Sequence, residues 1–238
     1  MEDARHALAA LALAACFPAD AMTFRAEPPF LYLGGNVTAT DWAAWEEAFI
    51  RFGGRIDTIV LHQSPGGNSA TGRRIGQSIR DRGLKTVVAG RCVSACANMF
   101  LGGTSRQFAA STVKVPPTLG YHGSYNRKTK EVNRRKTGDY FVTMTGGRMS
   151  EEIIERFIRI ENKNGMLYFV HPEQRRTAGA PLALLCRGDE DRARREDECE
   201  RVGSVDALST GVVTSWELRG IPVPLAPSKL KTTVKSWD

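Results

Sequence analysis

Apolar and polar residues alternate along the first half of the chain in blocks of two different periods. "FLYLGGNVT" from Phe30 and "IDTIVLH" from Ile56 are short, nearly continuous apolar runs, the pattern of strands buried on both faces. Between them "TDWAAWEEAFIRFGG" places Trp42, Trp45 and Phe49 on one side of a helix, with Thr40 or Asp41 as its cap and Gly53-Gly54 as its stop. "QSPGGNSATG" then reads as a turn. "RRIGQSIRDRG" predicts a helix with Ile75 and Ile79 on one face and Gly83 at its end. "KTVVAG" is a further buried strand, "SACANMFLGG" a small-residue helix, and "STVKV" and "TLGYHG" two more strands. Strand and helix in regular alternation predict an α/β layered fold with mostly parallel strands and right-handed crossovers.

The period changes after residue 125. Ser150 followed by Glu151 and Glu152 opens a helix, and Ile153, Ile154, Phe157 and Ile160 form its apolar stripe. Residues 187 to 198 are almost wholly charged, with both signs, and predict a solvated loop or short helix. "SVDALSTGVVTSW" predicts a return to helix, turn and strand. The expected organisation is a leader over residues 1–21, one domain over 28–221 with a charged insertion at about 175–202, and a Pro- and Lys-rich tail over 222–238.

Composition narrows the function classes. At 238 residues, 42% hydrophobic and 25% charged, the chain suits a single globular domain with a large core. A net charge of +7 admits an anionic partner. No zinc-finger spacing, RNA-binding signature or phosphate-binding Walker loop is present, which disfavours nucleic acid. The run "ALAALALAACF" is too short to span a bilayer, and Ala19-Asp20-Ala21 offers a small-x-small cleavage site. Leu13-Ala14-Ala15-Cys16 resembles a lipobox, with Cys16 as the lipid-bearing residue and a membrane anchor at the N-terminus as its consequence. The reading favoured here is export, to a periplasm or as a membrane-anchored lipoprotein. A buried N-terminal helix is the alternative.

The remaining cysteines are Cys92, Cys96, Cys186 and Cys199, which allow three pairings. Locality favours Cys186 with Cys199, a loop worth roughly 3 kcal/mol of chain entropy. Cys92 can pair with Cys96 only if Cys92 lies outside the helix, because helical i,i+4 positions are too far apart. The alternative is four reduced, buried thiols. No Cys/His spacing supports a metal site.

Three elements carry candidate chemistry. "SPGG", Ser64 to Gly67, follows a buried strand, and its glycines let backbone amides face outward toward a developing oxyanion. Ser94 in "GRCVSACANMF" stands at the start of a helix after a strand, where an N-cap and an activated nucleophile are both suited. His122 in "LGYHG" lies on the strand after that helix and is the candidate base. His62 and His171 read as structural. The basic stretch 126–136 reads as a solvated helix face, or as a site for a polyanion or anionic lipid.

Taken together, "VLHQSPGGNSATGRRIGQSIRDRGLKTVVAGRCVSACANMFLGGTSRQ" and "LGYHG" resemble the Clp protease proteolytic subunit within the ClpP/crotonase superfamily, and especially its exported bacterial relatives. "SVDALSTGVVTSW" is similar to the family's closing segment, with Asp206 where Glu is usual. The resemblance implies a layered fold of repeated β-β-α units, with a helical segment after the His strand. It also implies a homo-oligomer and a serine peptidase that needs no cofactor or metal. Carried over residue by residue, Ser94 is the nucleophile and His122 the base, while Gly67 and Ala95 supply the oxyanion amides. An extended peptide substrate would lie along Ser64, Gly66 and Asn68. The family's third residue, an Asp, has no clear counterpart; Asn164 is the nearest candidate and Asp197 the next. A ClpP-fold peptide-binding or scaffold protein with weak or no catalysis is the alternative. A crotonase-type enzyme acting on acyl-CoA is disfavoured, since that chemistry places carboxylates at the reacting carbon.

Overall fold

The computed structural model describes residues 21–110, 116–123, 134–160, 162, 164–175, 179–190, 198–203 and 205–222. Cys16 and the leader, the "STVKV" run at 111–115, most of the basic stretch, Asp197 and nearly all of the tail lie outside the described residues.

The chain opens with an antiparallel pair, β1 (Thr23–Glu27) and β2 (Phe30–Val37), joined at Pro28-Pro29. Helix α1 (Asp41–Phe52) follows as predicted, although Thr40 makes no side-chain cap bond. Asp41 Oδ2 instead accepts from the Thr38 amide at 2.6 Å. β3 (Thr58–Gly67) extends through "SPGG", where the sequence predicts a turn. Helix α2 (Ser69–Asp81) begins ahead of the predicted Arg73, inside the expected turn, and is capped by Asn68, whose side chain accepts from the Thr71 amide at 2.9 Å. The predicted single strand after α2 is two: β4 (Lys85–Val88) and β5 (Arg91–Val93). After α3 (Ala95–Leu101) come β6 (Arg106–Phe108) and β7 (Thr118–Tyr121), then α4 (Arg134–Thr145) and α5 (Glu151–Ile158). Ser150 caps α5 through the Ile153 amide.

The centre of the sheet is parallel and its margins are antiparallel. β2 pairs β3, β3 pairs both β4 and β5, β4 pairs β6, and β5 pairs β7, all in parallel. β3 can serve two neighbours because it forks. Thr58 to Leu61 pair with β4, whereas Ser64 pairs with Cys92 of β5. Gln63, between those segments, has a positive φ of 42°, which bends the strand away from one partner and toward the other. The charged insertion expected at 175–202 proves to carry sheet. β8 (Met166–Val170), β9 (Ala183–Cys186) and β10 (Glu200–Arg201) extend the β7 edge antiparallel. Where "SVDALSTGVVTSW" predicts helix, turn and strand, residues 207–211 form consecutive turns and the other described residues of the run form no helix or strand.

Alternate strand residues point to two different cores, which is why these strands read as unbroken apolar runs. Leu31, Leu33, Ile59, Leu61 and Val88 join the main core beneath the helices, with Trp45, Ile75, Ile79, Phe100 and Phe157. Phe30, Tyr32, Val60 and Val87 form a small cluster on the other face. Val93, Met166, Tyr168 and both cysteines of the Cys186–Cys199 bridge form a second. No described helix is long and apolar enough to cross a membrane.

Candidate active site

Ser94 is the first residue after β5 and the N-cap of α3, with φ 58° and ψ −122°. That backbone is costly for a side chain with a Cβ, of order 1–3 kcal/mol. Its surroundings compel it. The Ser94 amide donates to Gly120 O of β7 at 2.8 Å, and Ser94 O accepts from Asn98 of α3 at 3.0 Å. On either side of it, Cys92 in β5 and Cys96 in α3 are joined by a disulfide, with Cα atoms 5.3 Å apart. Cys92 therefore lies outside the helix, as that pairing requires. A serine in this position ordinarily caps its helix. Ser94 makes no such bond; its Oγ lies 2.6 Å from His122 Nε2.

His122 follows β7, and the register of that strand brings it there. Val93 pairs with Gly120, so the serine and the histidine leave two adjacent parallel strands at the same end of the sheet. Gly123 lets the chain turn tightly onto α5, since a Cβ at that position would stand 2.5 Å from Ile158 O. Burial disfavours the imidazolium and holds the His122 pKa below its ordinary 6.5. The ring is thus neutral near pH 7, the state in which it can take a proton. Nδ1 is buried and has no hydrogen-bond partner among the described residues.

The glycines at the end of β3 reach the same point. Gly66, at φ 87°, lies against the serine: a Cβ there would be 2.6 Å from Ser94 Cβ, 2.6 Å from Val93 O and 2.9 Å from the Ala95 amide nitrogen. Of the two glycines, the structure presses Gly66 against the Ala95 amide, while Gly67 lies against Val37 of β2. Ser64 and Asn68, expected along the substrate, are engaged internally. Ser64 is buried, and its Oγ accepts from the Gly66 amide at 3.3 Å. Asn68 is the N-cap of α2.

Asn164 is exposed and its amide donates to Asn162 Oδ1 at 3.0 Å. No hydrogen bond joins Asn164 to His122. His62 is buried on β3, its pKa pushed down to about 4 by desolvation and by the nearby Arg25 charge. His171 is fixed by two bonds, Nδ1 accepting from the Glu173 amide at 3.1 Å and Nε2 reaching Trp216 O at 2.7 Å. Neither ring shares the Ser94 site. Cys186, Cys199 and Glu190 cluster closely, but both thiols are spent in the disulfide, which removes them as metal ligands.

No family model matches the sequence, and no curated protein matches it. Solved structures do resemble the fold. The ClpP protease catalytic domain from Plasmodium falciparum aligns over 81% of this chain and 85% of its own, at 14% identity and a TM-score of 0.49. A membrane-bound stomatin-specific protease aligns over 60% of this chain and 72% of its own, at 14% identity and a TM-score of 0.42. An enoyl-CoA hydratase/isomerase from Marinobacter aquaeolei aligns over 58% of this chain and 62% of its own, at 10% identity and a TM-score of 0.39. Proteases and a hydratase are both among them.

Proposed function

We propose that the protein is an exported serine hydrolase that cleaves extended or unfolded peptides through a Ser94/His122 acyl-enzyme, without ATP. The observation that carries this reading is the 2.6 Å approach of Ser94 Oγ to the Nε2 of a buried, neutral imidazole, with the serine denied its usual capping bond. His122 Nε2 accepts the hydroxyl proton as Oγ attacks a peptide carbonyl. The Ala95 and Gly67 amides are the donors toward the oxyanion in this reading, since the Gly66 amide is already engaged by Ser64 Oγ. His122 then returns the proton to the leaving amine, and a water molecule repeats the sequence to release the acyl group. The two disulfides are the bonds of an oxidising compartment and support export. Assembly into a homo-oligomer, and attachment through Cys16, belong to the same reading.

The unpartnered Nδ1 favours a second reading, a catalytically weak or inactive peptide-binding or scaffold protein on the same fold. A carboxylate on that nitrogen would fix the tautomer and stabilise the imidazolium; here the described residues offer none. A fluorophosphonate probe distinguishes the two. Stoichiometric labelling that is abolished in Ser94→Ala supports the hydrolase. A wild-type protein that stays unlabelled at high probe concentration sinks it and leaves the binding protein.

A further inference from the structure

We infer that the Cys92–Cys96 disulfide is a positioning element of this site: it holds Ser94 in its left-handed backbone and keeps Oγ on His122 instead of on helix α3. The inference rests on the hydrolase reading for its kinetic readout alone.

The bond spans the serine symmetrically, from the second residue before it to the second residue after it. One end is anchored in β5 and the other in α3, and both cysteines are fully buried in the main core. The loop it closes is very short. A cross-link over a sequence separation of 4 constrains the unfolded chain less than the 13 of Cys186–Cys199, so its effect is concentrated on the residues between its ends. Those residues are Val93, Ser94 and Ala95, and the middle one carries a φ of 58°.

An alternative conformation competes for the same residue. A serine between a strand and a helix, free to take extended φ and ψ, turns its hydroxyl onto the second or third amide of the helix. In α3 these are the amides at Cys96 and Ala97. That rotamer satisfies an orphan amide and relieves the backbone strain, and it withdraws the hydroxyl from His122. Joining Cys92 to Cys96 fixes the angle at which the chain enters α3, and so denies Ser94 the extended backbone that capping needs. The cysteines that bracket the serine therefore act through it and touch no substrate.

The test compares Cys92→Ala/Cys96→Ala with wild type and with Cys186→Ala/Cys199→Ala in the full chain. Labelling of Ser94 by a fluorophosphonate, per folded molecule, is expected to fall at least about tenfold in the first variant, since a 1 Å misplacement can cost about a hundredfold. In the second it should stay within about twofold, whatever the fall in Tm. Nitrogen-15 NMR of the His122 ring reads the same geometry without catalysis. The Nε2 signal should move toward that of an imidazole with no hydroxyl partner in the first variant only. A folded first variant with wild-type labelling and a wild-type Nε2 signal overturns the inference. Should that variant not fold, wild-type protein is partly reduced with tris(carboxyethyl)phosphine. The phosphine takes oxygen from water to become the phosphine oxide, and the disulfide becomes two thiols. Alkylation and mass spectrometry identify molecules open at Cys92–Cys96, and equal labelling of open and closed molecules overturns the inference. A wild-type protein that never labels removes the hydrolase reading but leaves this one to the ring-nitrogen signal.

Discussion

Gly66 lies so close to Ser94 that a single methyl group cannot be placed between them: its carbon would stand 2.6 Å from the serine Cβ. The φ of 87° at Gly66 adds a second objection to any side chain there. Gly66→Ala must therefore move either the end of β3 or the serine. We expect a loss of Ser94 labelling of at least about a hundredfold, well beyond what the accompanying fall in stability explains. Labelling at the wild-type rate in a folded Gly66→Ala protein would show that this end of β3 has no part in the site.

The acid limb of the reaction is set by His122. Burial lowers its pKa from 6.5, so the neutral, proton-accepting ring persists at pH values where an exposed histidine is already charged. As pH falls through the lowered value, protonation of Nε2 removes the acceptor for the Ser94 hydroxyl. The pH profile of the labelling rate should thus inflect below 6.5 and stay flat above it. Above that inflection His122→Ala should lose about 100-fold to 10,000-fold relative to wild type, and the deficit should narrow below it. An inflection above 6.5 would contradict a desolvated base.

Asn164→Ala is expected to change the labelling rate by less than about twofold, because nothing joins that exposed side chain to the ring. A tenfold loss would mean that the histidine gains Asn164 as a partner when substrate binds.

A different histidine governs acid stability. His62 is 6% exposed and its folded pKa is about 4, against an unfolded value near 6.5. Between those values the unfolded chain binds the extra proton and the native state does not, so stability rises with pH across the window. It is lost as pH falls, by about 3 kcal/mol in total. Replacing His62 with Gln should reduce the pH dependence of the denaturant midpoint between about pH 4 and 6.5, leaving the share that belongs to the buried His122. An unchanged slope would place the acid sensitivity elsewhere.

Arg106 is buried, and its guanidinium donates to Gly103 O, Gly211 O and Val212 O at 2.6, 2.8 and 3.0 Å. It ties the turns after Val205 to the end of α3. Arg106→Leu leaves three carbonyls without their donor and should cost about 3 kcal/mol or more. Limited proteolysis near residues 205–218 should accelerate before global unfolding. Cleavage only on global unfolding would mean that the segment is held without it.

How far these features can be read from the chain depends on whether they are local. α1, α2 and the central strands announce themselves because their periods and stops lie in consecutive residues such as Trp42, Trp45 and Gly53-Gly54. Ser94 and His122 are visible as a spaced pair, and Cys92–Cys96 as a conditional one. The fork in β3 is invisible, because nothing about Gln63 betrays a positive φ that long-range pairing imposes. β9 and β10 escape because they are four residues and two, and the charge around them outweighs the short apolar run of the former. β8 carries a readable signal in "MLYFV", an aromatic and apolar run of strand length. Asn164 matches the third residue only in its order along the chain, which carries no distance.

The fork has a bearing on how this protein could lose its chemistry. Leu61 and Ser64 answer to different neighbours, with only His62 and Gln63 between them. One residue inserted at that joint would leave β3 and β4 aligned and the main core filled. In the remainder of β3, residues 64–67, the side chains would swap faces, and the glycines would no longer meet the serine. A descendant carrying that single extra codon would keep its shape and be silent, so the spacing from 61 to 64 merits the same scrutiny as the residues themselves.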